Sequence, residues 1–133
     1  MINLIIPGQP TAKSRPRFSK FGAHTDEKTL NYETLVKELF IISGQEKLTG
    51  PLKVHIVAEF EIPKSTSKKN KILMEQVKIF PTKKPDIDNI IKICLDALNK
   101  LAYDDDNQVV ELTMLKVYSL TPRVVINIWE IVK

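Results

Sequence analysis

Between Gly50-Pro51 and Pro63 the chain alternates without a break. Leu52, Val54, Ile56, Ala58, Phe60 and Ile62 are separated by Lys53, His55, Val57, Glu59 and Glu61. Successive strand side chains point to opposite faces, so a period of two marks a strand with one buried face. That apolar face needs a covering layer, and two helical runs offer one. Tyr32, Leu35, Val36, Leu39, Phe40 and Ser43 keep the i, i+3, i+4, i+7 spacing of a helix reaching from about Asp26 to Ser43, with Gly44 as a C-terminal stop. After Pro85, Ile87, Ile90, Ile91, Cys94, Ala97, Leu98 and Leu101 draw a continuous apolar stripe along a second helix.

The remaining segments are shorter. Ile2 to Ile6 reads as a buried strand halted by Pro7-Gly8-Gln9-Pro10. One of Ser65, Thr66 and Ser67 can cap a short helix running to about Val77. Asn107 to Tyr118 is rich in β-formers, and Val124 to Trp129 alternates again; with Thr121-Pro122 between them, the two predict a hairpin. His24, in a polar loop, and His55, on the wetter face of its strand, read as surface histidines, and Trp129 as a packing residue. Strand, helix, strand, helices, hairpin is the order of an α+β fold, a mixed β-sheet packed with helices. At 133 residues the chain has room for a single domain spanning 1–133.

Composition narrows the function classes. The hydrophobic share of 43% and charged share of 27% are those of a globular protein. The net charge of +4 leans weakly toward an anionic partner. Cys94 is the single cysteine, which rules out an internal disulfide framework, and its place in the apolar stripe makes it a core thiol. The first residues lack the charged lead of a signal peptide, and no window reaches the ~20 apolar residues of a membrane span, so no membrane partner and a cytoplasmic location are expected.

Against this basic background stand two acidic clusters. Asp86-Ile87-Asp88 opens the second helix, and Asp104-Asp105-Asp106 follows its end. Neighbouring carboxylates raise one another's pKa, and a hard divalent cation held by oxygen ligands is the usual remedy. Asp86 and Asp88 fall on one side if the backbone there is extended. Sharing an ion with the second cluster requires the chain after the helix to return toward the helix start. Lys92, one turn after Asp88, would set a positive charge beside such an ion, as phosphoryl chemistry needs. The same residues have plainer readings: a helix cap, a solvated turn, and an exposed Asp88–Lys92 pair contributing ~0.3–0.5 kcal/mol.

Other site types fail on spacing. A calcium loop starting at Asp86 would place Ile90 and Ile91 where an oxygen ligand and a glycine are needed. Two distant histidines and one core cysteine make no zinc site. There is no glycine-rich phosphate loop and no serine-nucleophile elbow. Two basic stretches remain. Lys13 to Gly22 carries no acid, and its Pro16 and Gly22 predict a loop; it is either a solvated surface or a phosphate contact through Arg15 and Arg17. From Lys64 to Lys84 lysines face the lone acid Glu75 and lead directly into the acidic pair.

The ordered set Lys84-Pro-Asp-Ile-Asp-Asn89, Lys92, Leu95-Asp-Ala-Leu-Asn99 and Tyr103-x-Asp105-Asp106-x-Gln108-Val109-Val110 resembles the signature of the RusA-type Holliday junction resolvases. Lys13-Ser-Arg-Pro-Arg-Phe18 is similar to the basic segment of phage- and prophage-associated members, and Leu115-Lys116-Val117-Tyr118 extends the likeness over most of the chain. The stretch Thr25-Asp26-Glu27-Lys28 departs from the pattern, which concerns the N-terminal DNA contacts and not the catalytic set.

The resemblance implies an α+β, Mg²⁺-dependent endonuclease (Mn²⁺ able to replace it) that works as a homodimer on branched DNA. It would resolve four-way junctions by paired nicks during recombination and repair. Carried over by position, the catalytic set is Asp86, Asp88, Lys92 and Asp106, with Asp86, Asp88 and Asp106 as metal ligands. Asp105, Asn89 and Gln108 are supporting residues, and Asp104 is incidental. Lys13, Arg15, Arg17, Lys68, Lys69 and Lys71 would engage DNA backbones. Two other classes compete. A metal-dependent nucleotidyltransferase also pairs Asp-x-Asp with a later Asp, but lacks here the Gly-Ser motif that precedes the pair. A non-catalytic nucleic-acid-binding module would use the basic segments and leave the acidic set without a purpose.

Overall fold

The computed structural model describes residues 1–13, 17–19, 22–24 and 27–132. In chain order the elements are β1 (Ile2–Pro7), β2 (Arg17–Ser19), β3 (Gly22–His24), α1 (Glu27–Ser43), β4 (Leu52–Glu61), α2 (Lys68–Glu75), α3 (Ile87–Leu98), a 3₁₀ turn (Asp106–Gln108), β5 (Val109–Ser119) and β6 (Arg123–Glu130). Four strands form one sheet in the order β1-β6-β4-β5. The β1/β6 and β6/β4 pairs are antiparallel and β4/β5 is parallel, so the sheet is mixed, as expected for this α+β domain.

The alternation of β4 survives intact: Leu52, Val54, Ile56, Ala58 and Phe60 are all buried. Register turns it into rows. Val54 sits beside Ile128, which sits beside Ile2; Ile56, Ile126 and Leu4 make a second row, and Ala58, Val124 and Ile6 a third. Onto these rows α1 packs Tyr32, Val36 and Phe40, and α3 packs Ile90, Ile93, Cys94, Ala97 and Leu98, closing one core. The inward face of α3 thus includes Ile93, while Ile87 stays 43% exposed at the helix start. Burial pushes the Cys94 thiol up to about 12, so it stays protonated and inert as a core residue. Ile126 lies at the centre of the middle row. Ile126→Ala is expected to cost about 2–5 kcal/mol in urea unfolding; a loss below about 1 kcal/mol would mean the rows do not pack as the register implies.

Two expectations are corrected. β5 and β6 are not a hairpin, because β4 lies between them. The apolar faces of β4 and β6 pair row for row, whereas β5 leaves Val110 65% and Leu112 39% exposed; the strand with the least to bury takes the edge. The basic N-terminal stretch is not wholly irregular either: β2 and β3 pair antiparallel in a small second sheet. α1 ends where expected, with Gly44 at φ +69, a conformation that disfavours side chains with a Cβ. α2 is capped by Ser67, whose side chain accepts from the Asn70 amide. Among the described residues no helix is long and apolar enough to cross a membrane.

Candidate active site

Asp86 is the N-cap of α3, with extended backbone (φ −72, ψ 153), while Asp88 lies inside the first helical turn. The pair therefore straddles the helix boundary and does not sit on an extended segment, because the helical apolar run begins immediately after Asp86. Asp86 makes no side-chain capping bond. Among the described residues Asp88 has no hydrogen-bond or ion-pair partner, and neither has Lys92, so the Asp88–Lys92 bridge does not form. All three side chains are exposed on one end of α3.

The second acidic cluster is built differently. Tyr103 is fully buried, and its hydroxyl donates to the Leu95 carbonyl at 2.6 Å, in the last turn of α3 where carbonyls lack helical partners. Burial first, then the charges of Asp106, Asp96 and Asp105 among its neighbours, push its phenol well above the ordinary range, so it stays a donor. Gln108 folds back so that its Oε1 accepts from the Asp104 and Asp105 amides at 2.9 and 3.0 Å, while its Nε2 donates to the Gly50 carbonyl at 3.0 Å. Asp105 accepts from the Asn107 amide at 3.2 Å and caps the 3₁₀ turn. Asp104 is bound by Lys47 at 2.8 Å, which holds its carboxyl below the usual range.

Three of the five aspartates are thus left unengaged. Asp104 and Asp105 serve the turn, whereas the carboxylates of Asp86, Asp88 and Asp106 accept no hydrogen bond or ion pair from the described residues. Among the described residues no group of three or more His, Cys, Asp and Glu side chains could hold a metal ion. The turn is moored through Tyr103 to Leu95, roughly 10 Å along the helix axis from Asp88.

The basic residues also divide. Lys68 and Lys69 are exposed in the first turn of α2, and Lys71 is half-buried. The Lys13 ammonium is held by Glu33 and, at 3.5 Å, by Asp96, so it ties the N-terminal arm to α1 and α3. Burial works to lower its pKa, but the two carboxylates outweigh that and raise it. Arg15 and the Arg17 side chain lie outside the described residues; the Arg17 backbone is in β2. Sequence reasoning missed Tyr103 as an anchor and Glu33 as the partner of Lys13. An aromatic beside an acidic turn is the only trace of the first, and no spacing announces the second. Tyr103→Phe removes one hydroxyl and leaves a helix-end carbonyl unpaired. It should cost about 1 kcal/mol and speed hydrogen exchange at the Asp104 and Asp105 amides; unchanged exchange would show that the turn holds without that bond.

Carboxylates and a lysine on one helix, unengaged among the described residues, suit a protein whose chemistry is done on phosphodiesters. The family of the chain agrees. The model for endodeoxyribonuclease RusA matches residues 7–129, and the chain belongs to the RusA endodeoxyribonuclease family. It is also similar to the uncharacterized protein YqaN of Bacillus subtilis strain 168, with 36% identity over 140 residues covering 98% of this chain and 96% of that protein.

Proposed function

We propose that the protein is a Mg²⁺-dependent, structure-selective endodeoxyribonuclease that resolves four-way DNA junctions by paired nicks in recombination and repair. The observation that carries this reading is the division of the aspartates: Asp104 and Asp105 are engaged in structure, while Asp86, Asp88 and Asp106 remain open among the described residues. Aspartates kept only for fold would be expected to cap or pair. The donor set fits the ion, since Mg²⁺ prefers hard oxygens and takes one or two carboxylates plus substrate phosphate and water. Asp86 and Asp88 would hold it, with Asp106 as the third acid of the family pattern. When bound, Mg²⁺ lowers the pKa of water and offsets negative charge on the phosphate.

Lys92 projects from the same helix one turn beyond Asp88 and would stabilise charge developing on the leaving oxygen. Lys68 and Lys69, with Lys71 beside them and Arg15 and Arg17 on the N-terminal segment, would follow the DNA backbones and make binding salt-sensitive. Two nicks in opposed strands call for two symmetric sites, so a homodimer is the working unit in this reading. A cytoplasmic enzyme of prophage origin fits the same picture.

A synthetic four-way junction incubated with the protein in Mg²⁺ should be nicked symmetrically, and EDTA should stop nicking without releasing the DNA. Junction binding with no nicking in Mg²⁺ or Mn²⁺ at any salt would favour the non-catalytic binding module instead.

A further inference from the structure

Beside Asp86 lies a cavity of about 430 Å³, within the size range of small-molecule sites. Three elements wall it: the arm after β1 with Pro10, Thr11 and Ala12, the first turn of α1 with Lys28, and the approach to α3 with Lys84, Pro85, Asp86 and Asn89. We propose that this cavity is a subsite for a single nucleotide of the DNA strand, taken out of the base stack, adjoining the phosphate that Asp86 and Asp88 serve. The proposal rests on the endonuclease reading and adds to it a place where one base is read.

The lining matches such a guest part by part. Lys28 and Lys84 are exposed and have no ion-pair partner among the described residues, so two ammonium groups are available to a phosphate. Pro10, Ala12 and Pro85 offer apolar contact to the face of a base. The Thr11 hydroxyl, whose one bond among the described residues is a long 3.3 Å contact to the Gln9 carbonyl, and the Asn89 carboxamide can both donate and accept at a base edge. A free phosphate would leave the apolar wall and the carboxamide without a role. Stacked duplex bases cannot enter a cleft of this size, whereas an extruded nucleotide can.

The arm is also fixed in advance. The Gly8 amide donates to the Pro122 carbonyl at 3.1 Å, the Lys13 amide donates to the Asn89 carbonyl at 3.0 Å, and the Lys13 ammonium is held by Glu33 and Asp96. A wall moored at both ends loses little freedom when a ligand arrives. Asp86 belongs to both the cavity and the acidic pair, so a nucleotide bound here is a direct neighbour of the phosphate to be cut. Nicking should then depend on which base occupies that position.

The test titrates the protein with each of the four deoxynucleoside monophosphates and with inorganic phosphate, following amide chemical shifts. At least one nucleotide should bind about tenfold more tightly than phosphate, with shifts at Thr11, Lys28 and Asn89, and Lys28→Ala should weaken it at least about fivefold. Ala12→Trp, which fills the cavity, should abolish it; Lys28→Ala, on an exposed side chain, keeps the test valid if the tryptophan variant does not fold. Equal binding of phosphate and nucleotides, shifts elsewhere, or no effect of Lys28→Ala would overturn the subsite. Junctions differing in the base beside the nick supply a separate arm. Wild-type protein that binds nucleotide here but never nicks a junction would defeat the endonuclease reading and leave the subsite standing, and equal nicking of all four junctions would defeat its role in base choice.

Discussion

Asp88→Asn should reduce junction nicking on the order of a hundredfold or more while leaving junction binding intact. The substitution keeps the shape of the side chain and removes its charge. Asp88 is exposed in the first turn of α3 and has no partner among the described residues, so no packing or hydrogen bond is lost. The remaining structural effect is the interaction of a carboxylate with the helix N-terminus, about 0.3–1 kcal/mol. Gel-shift affinity and thermal unfolding should therefore match the wild type, with the loss confined to the Mg²⁺-dependent rate. A variant that nicks normally, or one that unfolds early, would return Asp88 to a helix-end role.

Lys92→Ala is the second large effect. An oriented cation at a developing negative charge contributes about 10²–10³ in rate, and the ammonium of Lys92 has no partner among the described residues to lose. The single-turnover rate should fall by about a hundredfold, while the slope of log affinity against log salt changes by no more than one phosphate contact. A large drop in affinity with an unchanged rate would make Lys92 a DNA-backbone contact. The two variants separate the site's components, since one removes charge that would hold the ion and the other charge that would meet the leaving oxygen.

Much of the fold was legible in the chain because periodicity records burial directly. β4, α1 and α3 appear in the structure close to where their apolar spacing placed them, and the core is made of the residues those patterns pick out. Ile93 was missed, since a stripe drawn from Ile87 runs a little to one side of the face that actually packs. The hairpin failed for a different reason. Local turn chemistry says that a chain reverses, but not which strand lies beside it, and β4 claimed the position next to β6.

The aspartates show the same boundary at the level of the site. Their identity, their order and the family they signal could be read from spacing and motif, because chemistry of this kind needs particular residue types in a particular order. Which carboxylates are open could not be read. That depends on Lys47, Gln108 and the Asn107 amide reaching Asp104 and Asp105, and on Tyr103 mooring the turn to Leu95. The sequence by itself determined a one-sided sheet under helices and an acidic, lysine-bearing motif on the start of α3. Only the tertiary structure decided the strand order, the engagement of Lys13, the cavity beside Asp86 and the mooring of the acidic turn through Tyr103. Each of these is a contact between residues far apart in the chain, and neither period nor spacing encodes such contacts.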